Sequence, residues 1–469
     1  MLPIFGKLDA LINSAKIKTE NFYYGRIYPV FLALAVFLFW ILNLQMVGFA
    51  LVTIIGSFAL IAYNDLLPTI PALLTIPMTI RKSTVFDTSI MPYIILIPAV
   101  IAFIVHNFRY KWVKPKFDAL FFGLIGVTVA LLAGGIGAGY AEHYKYGISF
   151  VMIAGVAMLA VHFFYTNRIK LNDKCNQKKY LAFSVTCVGN LACVQLIYAL
   201  ISVKLYGNAE FIFPTFCWAN TNSIGYIILI ATPMCAYLAL DAKWVTPYAI
   251  NVLFYYACAF LTESDGATFI LIALAPVLLY VVIKNATKKN YQTLKLIYMT
   301  VIPLIFILVA SLFLFNFETI KAFLFNVSND NGRSHLYQIA WELFIKAPIF
   351  GAGVGHGYQV LNFVNFHSTI YSALAYAGVI GLLAYVVLYL LRIRLIHKNH
   401  TVLGIFSMLS FVAFGLYSLI DTGEFFIVLL YITVIITVTG VTNRKGNDDP
   451  LPLTKKFTEH ELSSNVDFV

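Results

Sequence analysis

Apolar stretches of roughly 17 residues or more, the length that crosses a bilayer core, recur along the whole of this 469-residue chain. Within hydrocarbon every backbone N–H and C=O must find its partner inside the protein, so such stretches are helices or strands of a closed barrel. The alternation of apolar and polar residues that marks barrel strands is absent here. Only 11% of the residues are charged, against roughly 25% in a soluble domain. The expected fold is an all-α polytopic integral membrane protein.

Spans are expected near 28–45, 47–63, 66–80, 90–107, 118–140, 147–166, 180–203, 221–240, 245–262, 267–283, 296–316, 368–391, 402–420 and 424–441. The third is short and carries Pro68, Pro71 and Pro77, as a broken or re-entrant helix would, so the expected total is about 12–14. With the N-terminus in the cytoplasm and the chain alternating, 25 of the 32 Lys and Arg fall on the cytoplasmic side. That bias follows the positive-inside rule. The net charge of +11 is thereby a topology signal, and nucleic-acid binding loses its support. Charges placed mid-span are nearly absent by this count, which argues against an ion-coupled transporter. Residues 1–27 show no cleavable signal peptide. Leu2, Phe5, Leu8, Leu11, Ile12 and Ala15 suit a helix lying along the membrane surface. The six cysteines have no ligand spacing and read as small core residues.

One polar stretch interrupts this pattern: residues 317–367, a loop that the charge count puts on the extracytoplasmic face. ATP is lacking there, so a reaction on that face needs an already activated substrate. Arg333 precedes a helical pattern of Leu336, Ile339, Ala340, Leu343 and Phe344, which Pro348 ends. A cation in a helix's first turn opposes the dipole, and a bound phosphate would remove the conflict. A surface pairing with Asp330 or Glu342 explains the Arg equally well. His367 heads the next apolar run with Tyr371. Its imidazole is suited either to accepting a hydroxyl proton or to a plain interfacial hydrogen bond. Gly351 and Gly353 permit exposed amides that meet phosphate, or a simple turn. Asn220 and Asn222 cap a span or contact sugar hydroxyls. Glu263, Asp265, Asp421 and Glu424 are candidate acids for which a solvated helix end is the default. His335, His356 and His367 have no zinc-ligand spacing, and no metal is expected.

The ordered set Gly332-Arg333, Pro348-Ile-Phe-Gly351-Ala-Gly353, His367-Ser368-Thr-Ile-Tyr371 and Gly378 resembles the C-terminal signature of the O-antigen ligase and Wzy-type polysaccharide polymerase superfamily. Trp218-Ala-Asn220-Thr-Asn222 is similar to that family's Asn-x-Asn at the head of a span. Two positions depart from the pattern. Ser264-Asp265-Gly266 stands where the family often has Ser-Arg-Gly, so a second phosphate contact is missing or comes from elsewhere, with Arg81 or Lys82 as candidates. Ser368 stands where the family has Asn after the His.

The resemblance implies a GT-C-like membrane glycosyltransferase, without metal or cofactor, that uses a polyprenyl-diphosphate-linked glycan as donor and inverts the anomeric carbon. Arg333 would hold the diphosphate and His367 would serve the acceptor hydroxyl. Asn220, Asn222, Gly351, Gly353, Tyr371, Asp265 and Arg81 would contact substrate. The implied partners are a glycan or lipid-glycan acceptor, the bilayer, a chain-length regulator and a flippase. The implied place is the bacterial cytoplasmic (inner) membrane, with both termini cytoplasmic. Polymerase is preferred to ligase because no feature points to a lipid A core. A lipid-linked oligosaccharide flippase is the rival of another class, and it would lack a use for the long loop. The expected organisation is a cytoplasmic segment (1–27), a transmembrane bundle (28–316), a catalytic loop (317–367), C-terminal transmembrane helices (368–441) and a cytoplasmic tail (442–469).

Overall fold

A computed structural model describes residues 3–80, 91–110, 114–136, 148, 151–170, 175–206, 221–287, 290–295, 333–354, 366–398, 401–425 and 427–444, and all regular structure among them is helical. The helices are α1 (Pro3–Tyr23), α2 (Ile27–Ile41), α3 (Gln45–Ala62), α4 (Ile70–Thr75), α5 (Met91–Arg109), α6 (Ala119–Ala133), α7 (Met158–Arg168, entered through a π-helical Val151–Ala157), α8 (Gln177–Tyr206), α9 (Thr221–Ala239), α10 (Val245–Leu261), α11 (Asp265–Asn285), α12 (Arg333–Lys346), α13 (Thr369–His397), α14 (Val402–Ile420) and α15 (Leu429–Arg444). The chain is a polytopic all-α membrane protein.

A helix stands at every expected span that falls among the described residues, while the one expected at 296–316 lies outside them. Seven helical stretches are long and apolar enough to cross a membrane individually, and shorter apolar helices fill most of the remaining positions. The axes of α1 and α2 meet at 83°. Such a bend suits α1 to the membrane surface. It is fastened by Thr19 to the Tyr63 hydroxyl (3.0 Å) and by Asp9 to Arg109 (3.4 Å).

The doubtful third span is a broken helix in three pieces: a 3₁₀ turn at Leu67–Thr69, then α4, then a second 3₁₀ turn at Ile76–Thr79. Each piece carries a proline in its first two positions, where the missing N–H costs no internal bond. Asp65, just before it, accepts from the Lys170 amide, and the Lys170 carbonyl in turn accepts from Gln177 at the head of α8. At the far end Gln195 Nε2 donates to the Met78 carbonyl (2.9 Å). Gln177 and Gln195 are about 27 Å apart along a helix. The pieces therefore cover most of a bilayer core beside α8.

The described helices run alternately, which separates two ends of the bundle. One end gathers the C-termini of α3, α5, α7, α9 and α11 with the starts of α6, α8 and α10. Tyr110 donates to Ala62, Lys116 pairs with Asn167, Lys179 with Asp241, and the Thr287 amide bonds the Leu240 carbonyl. Much of the basic charge lies here. The opposite end gathers the starts of α9, α11 and α13 with the end of α14, and it carries the candidate site.

The structure corrects the expectation on buried charge. The expected span 368–391 leaves Arg392 in the loop that follows it, but Arg392 lies inside α13 and pairs at 2.5 Å with Glu424, both buried. His162, also buried, bonds Asp118 and Thr437 at 2.9 Å each.

Candidate active site

Pro348, Gly351, Gly353 and Gly378 form one structural device. Helix α13 is broken at Gly378, whose backbone sits at φ 62°, ψ −157°. A break in a helix frees amides and carbonyls that water cannot reach at membrane depth. The loop after α12 supplies their partners. Val379 and Ile380 donate to the carbonyls of Pro348 (2.9 Å) and Ile349 (3.3 Å). In the other direction the carbonyls of Ala375 and Tyr376 accept from the amides of Ala352 (2.7 Å) and Gly353 (3.0 Å). The loop is thus spliced into the helix in place of about one turn's worth of hydrogen bonds. The approach requires glycine: a Cβ on Gly351 would lie 2.4 Å from the Tyr376 carbonyl carbon, and one on Gly378 would lie 2.4 Å from the Ile349 oxygen. Both residues have left-handed φ. The Gly351 and Gly353 amides are thereby committed to the carbonyls of Ala347 and Tyr376. The structure puts this splice where the sequence suggested either phosphate-binding amides or a simple turn.

The splice fixes the C-terminal end of α12, and Tyr337 fixes its other end. The Tyr337 ring stacks on Tyr371 of α13, centroids 4.4 Å apart and planes at 6°. Its hydroxyl donates to the His367 carbonyl (3.2 Å). Ala340 and Leu343 are buried beneath the helix, while Ser334, His335, Gln338 and Glu342 are exposed, as the amphipathic pattern requires. Arg333 occupies the first turn, half-buried and one turn before Tyr337 on the same face. Of the two pairing partners considered for it, Asp330 lies outside the described residues and Glu342 accepts from Gln338 (3.2 Å).

His367 has left-handed backbone, φ 48°. This conformation is uncommon for a side-chain-bearing residue and clusters at functional sites. Its Nδ1 lies 3.4 Å from Oδ1 of Asp421. Asp421 is buried, not solvated as a helix end is by default, and the same oxygen accepts from the Thr422 amide (2.8 Å). The following turn is tied down by Tyr226, whose hydroxyl accepts from the Gly423 amide (2.9 Å).

Tyr417, in the last turn of α14, connects the remaining polar groups. Its hydroxyl hydrogen-bonds Ser264 Oγ and lies within electrostatic reach of Asp421, Arg333 and Asp265. Asp265 begins α11, half-buried. Gly266 beside it allows α11 to approach α14, since a Cβ there would meet Ile420 at 2.4 Å and the Tyr417 ring at 2.9 Å. Asn222 lies half-buried in the first turn of α9. Asn220 and Arg81 lie outside the described residues.

The fold therefore brings Arg333, Asp265, His367 and Tyr371 to one end of the bundle. It adds Asp421, Tyr337 and Tyr417, which the sequence reading did not place in the site. The available signal was Asp421-Thr-Gly-Glu424, two acids between apolar helices, where an ionisable group is costly unless it has a use. Among the described residues no three His, Cys, Asp or Glu side chains come together as a metal-ligand group.

Residues 249–386 match the family described as O-antigen ligase. The match covers less than a third of the chain but includes Arg333, the splice and His367, so the family signature read from the motifs is present. Asp421 lies beyond it. No curated protein matches the chain.

Proposed function

We propose, for a chain whose residues 249–386 match the O-antigen ligase family, that it polymerises polyprenyl-diphosphate-linked oligosaccharide repeats by glycosyl transfer at the membrane. The observation that carries this reading is the convergence of one cation and one carboxylate-backed imidazole at the end of the bundle away from most of the basic residues. The positive-inside bias supports an extracytoplasmic site, hence a lipid-borne donor that needs no nucleotide.

The reaction is a single displacement. The acceptor hydroxyl attacks the anomeric carbon, the bond from that carbon to the diphosphate oxygen breaks, and the electron pair leaves on polyprenyl diphosphate. Arg333 binds the diphosphate and stabilises its growing charge, a term worth roughly 10²–10³ in rate. His367 accepts the hydroxyl proton through Nε2, the ring nitrogen remote from Asp421, for roughly another 10²–10⁴. Asp421, its Oδ1 3.4 Å from Nδ1, orients the ring. Attack from the face opposite the leaving group inverts the anomeric centre. No step calls for a metal.

The family description favours a second reading, transfer of a finished glycan to lipid A core or another acceptor. A deletion separates the two: a single repeat on the acceptor indicates a lost polymerase, and a bare acceptor a lost ligase. Arg333→Ala and His367→Ala, assayed with purified protein and a synthetic lipid-linked repeat, test both. Wild-type formation of glycosidic bonds by both variants at equal protein level would overturn the proposal.

A further inference from the structure

The Arg392–Glu424 pair is costly and poorly compensated. Its side chains are 2% and 0% exposed. Taking two charges out of water is repaid only when the remaining donors and acceptors are also satisfied. Here Arg392 Nη2 and Glu424 Oε2 have no protein hydrogen-bond partner among the described residues. The neighbours are aromatic: the guanidinium lies 5.5 Å from the Tyr389 ring centroid and 5.9 Å from that of Phe411. A well-packed apolar pair of similar volume would serve stability at least as well. The pair therefore needs an explanation in geometry.

Its position supplies one. Asp421 meets His367, two residues before the start of α13. Only three residues later, Glu424 meets the same helix at Arg392, about 21 Å beyond the break at Gly378. The turn Asp421–Phe425 must then descend into the bundle instead of crossing its surface. Two further contacts hold it there: Tyr226 to the Gly423 amide, and Phe425 edge-on against Tyr376 (5.4 Å), in the spliced part of α13. The long reach of Arg392 matches a carboxylate at one depth and one azimuth, a constraint that dispersion contacts, being non-directional, do not impose.

We infer that Arg392 and Glu424 are positioning residues: their buried ion pair anchors the Asp421–Phe425 turn so that the Asp421 carboxylate faces His367. This inference rests on the reading of His367 as the proton acceptor. Neither residue touches the reacting atoms. Their effect passes through Asp421.

The test uses purified full-length protein in nanodiscs with a synthetic polyprenyl-diphosphate-linked repeat. The double variant R392M/E424Q removes both charges and orphans neither. It is expected to unfold near the wild-type temperature and to keep KM for the lipid-linked donor within about twofold. Its kcat is expected to fall about tenfold or more. D421A should lower kcat similarly, and adding D421A to the double variant should cost little more, because contributions that pass through one group do not add. E424D, which keeps the charge but shortens the arm by one methylene, should fold and also turn over more slowly, and it carries the test if the double variant does not fold. Wild-type kcat in a folded R392M/E424Q or in E424D overturns the inference, as does a full, additive effect of D421A on the double variant. Parallel H367A protein separates the two levels. If H367A is active, the reading of His367 fails. If H367A is inactive and R392M/E424Q is wild-type, only the positioning role fails.

Discussion

Replacing Gly351 by alanine tests whether the glycine motif is a backbone splice or a substrate contact. The new Cβ would lie 2.4 Å from the Tyr376 carbonyl carbon, 2.5 Å from the Ala377 nitrogen and 2.7 Å from the Gly378 nitrogen. All three are main-chain atoms, so no side chain can rotate away. Overpacking of this kind costs about 1–3 kcal/mol. The residue's φ of +66° adds about 1–2 kcal/mol for any residue with a Cβ. Together the change should destabilise by about 2–5 kcal/mol, with strain passed to the bonds from Ala352 and Gly353 to α13. The assay is thermal unfolding of detergent-solubilised protein, read by the monodisperse fraction surviving each temperature. Gly126→Ala is the control: it lies within α6, a Cβ there meets nothing within 4 Å, and alanine is the better helix former by about 1 kcal/mol. Gly126→Ala should unfold no earlier than wild type, and Gly351→Ala well before it. A Gly351→Ala protein that melts with wild type yet makes no product would refute the splice and point instead to substrate packed against the space a Cβ would fill.

Three further outcomes are expected. Tyr337→Phe removes one hydroxyl bonded to the His367 carbonyl, so it should cost about 1 kcal/mol, roughly a factor of five in turnover, with the Tyr371 stack retained; unchanged turnover would show that this bond does not hold His367. Arg333→Lys keeps the charge but loses the planar fork that grips two phosphate oxygens; turnover should fall roughly 100-fold with little change in melting temperature, and equal turnover would argue against a diphosphate contact. The third concerns pH. Burial raises the Asp65 carboxyl to about 6, against the pull of its bonds to Leu67, Lys170 and Tyr24. The folded state then holds this proton longer than the unfolded one, so the stability it contributes is full below about pH 4 and is lost as pH rises through about 6. The loss is on the order of 3 kcal/mol. Asp65→Asn should flatten that part of the stability curve, and an unchanged slope would remove Asp65 as its source.

Much of the architecture was legible because lipid leaves the backbone few options. An apolar run such as 402–420 has to be a helix, and the observed α14 has those limits. Pro68, Pro71 and Pro77 foretold a broken third span for an equally local reason: each removes a donor and restricts the residue before it. The splice was only half legible. Pro348, Gly351, Gly353 and Gly378 stood out by type and spacing, but a glycine's neighbours determine whether it frees an amide or permits a close approach. For Gly351 the neighbours are main-chain atoms of α13.

The sequence by itself determined the helices, their alternation and the outlying polar residues, because hydropathy, proline and charge act over one or two turns. Tertiary structure decided which polar residues share a site. Arg333, Asp265, His367 and Asp421 come from four separate segments and meet only because α11, α12, α13 and α14 end or begin together. It also reversed two local defaults. Asp421 and Glu424 read as solvated acids beside a turn, and Arg392 as a loop cation. Packing buries all three, since a carboxylate leaves water only when another segment brings a partner such as Arg392 or His367, and no local window of the sequence contains that partner.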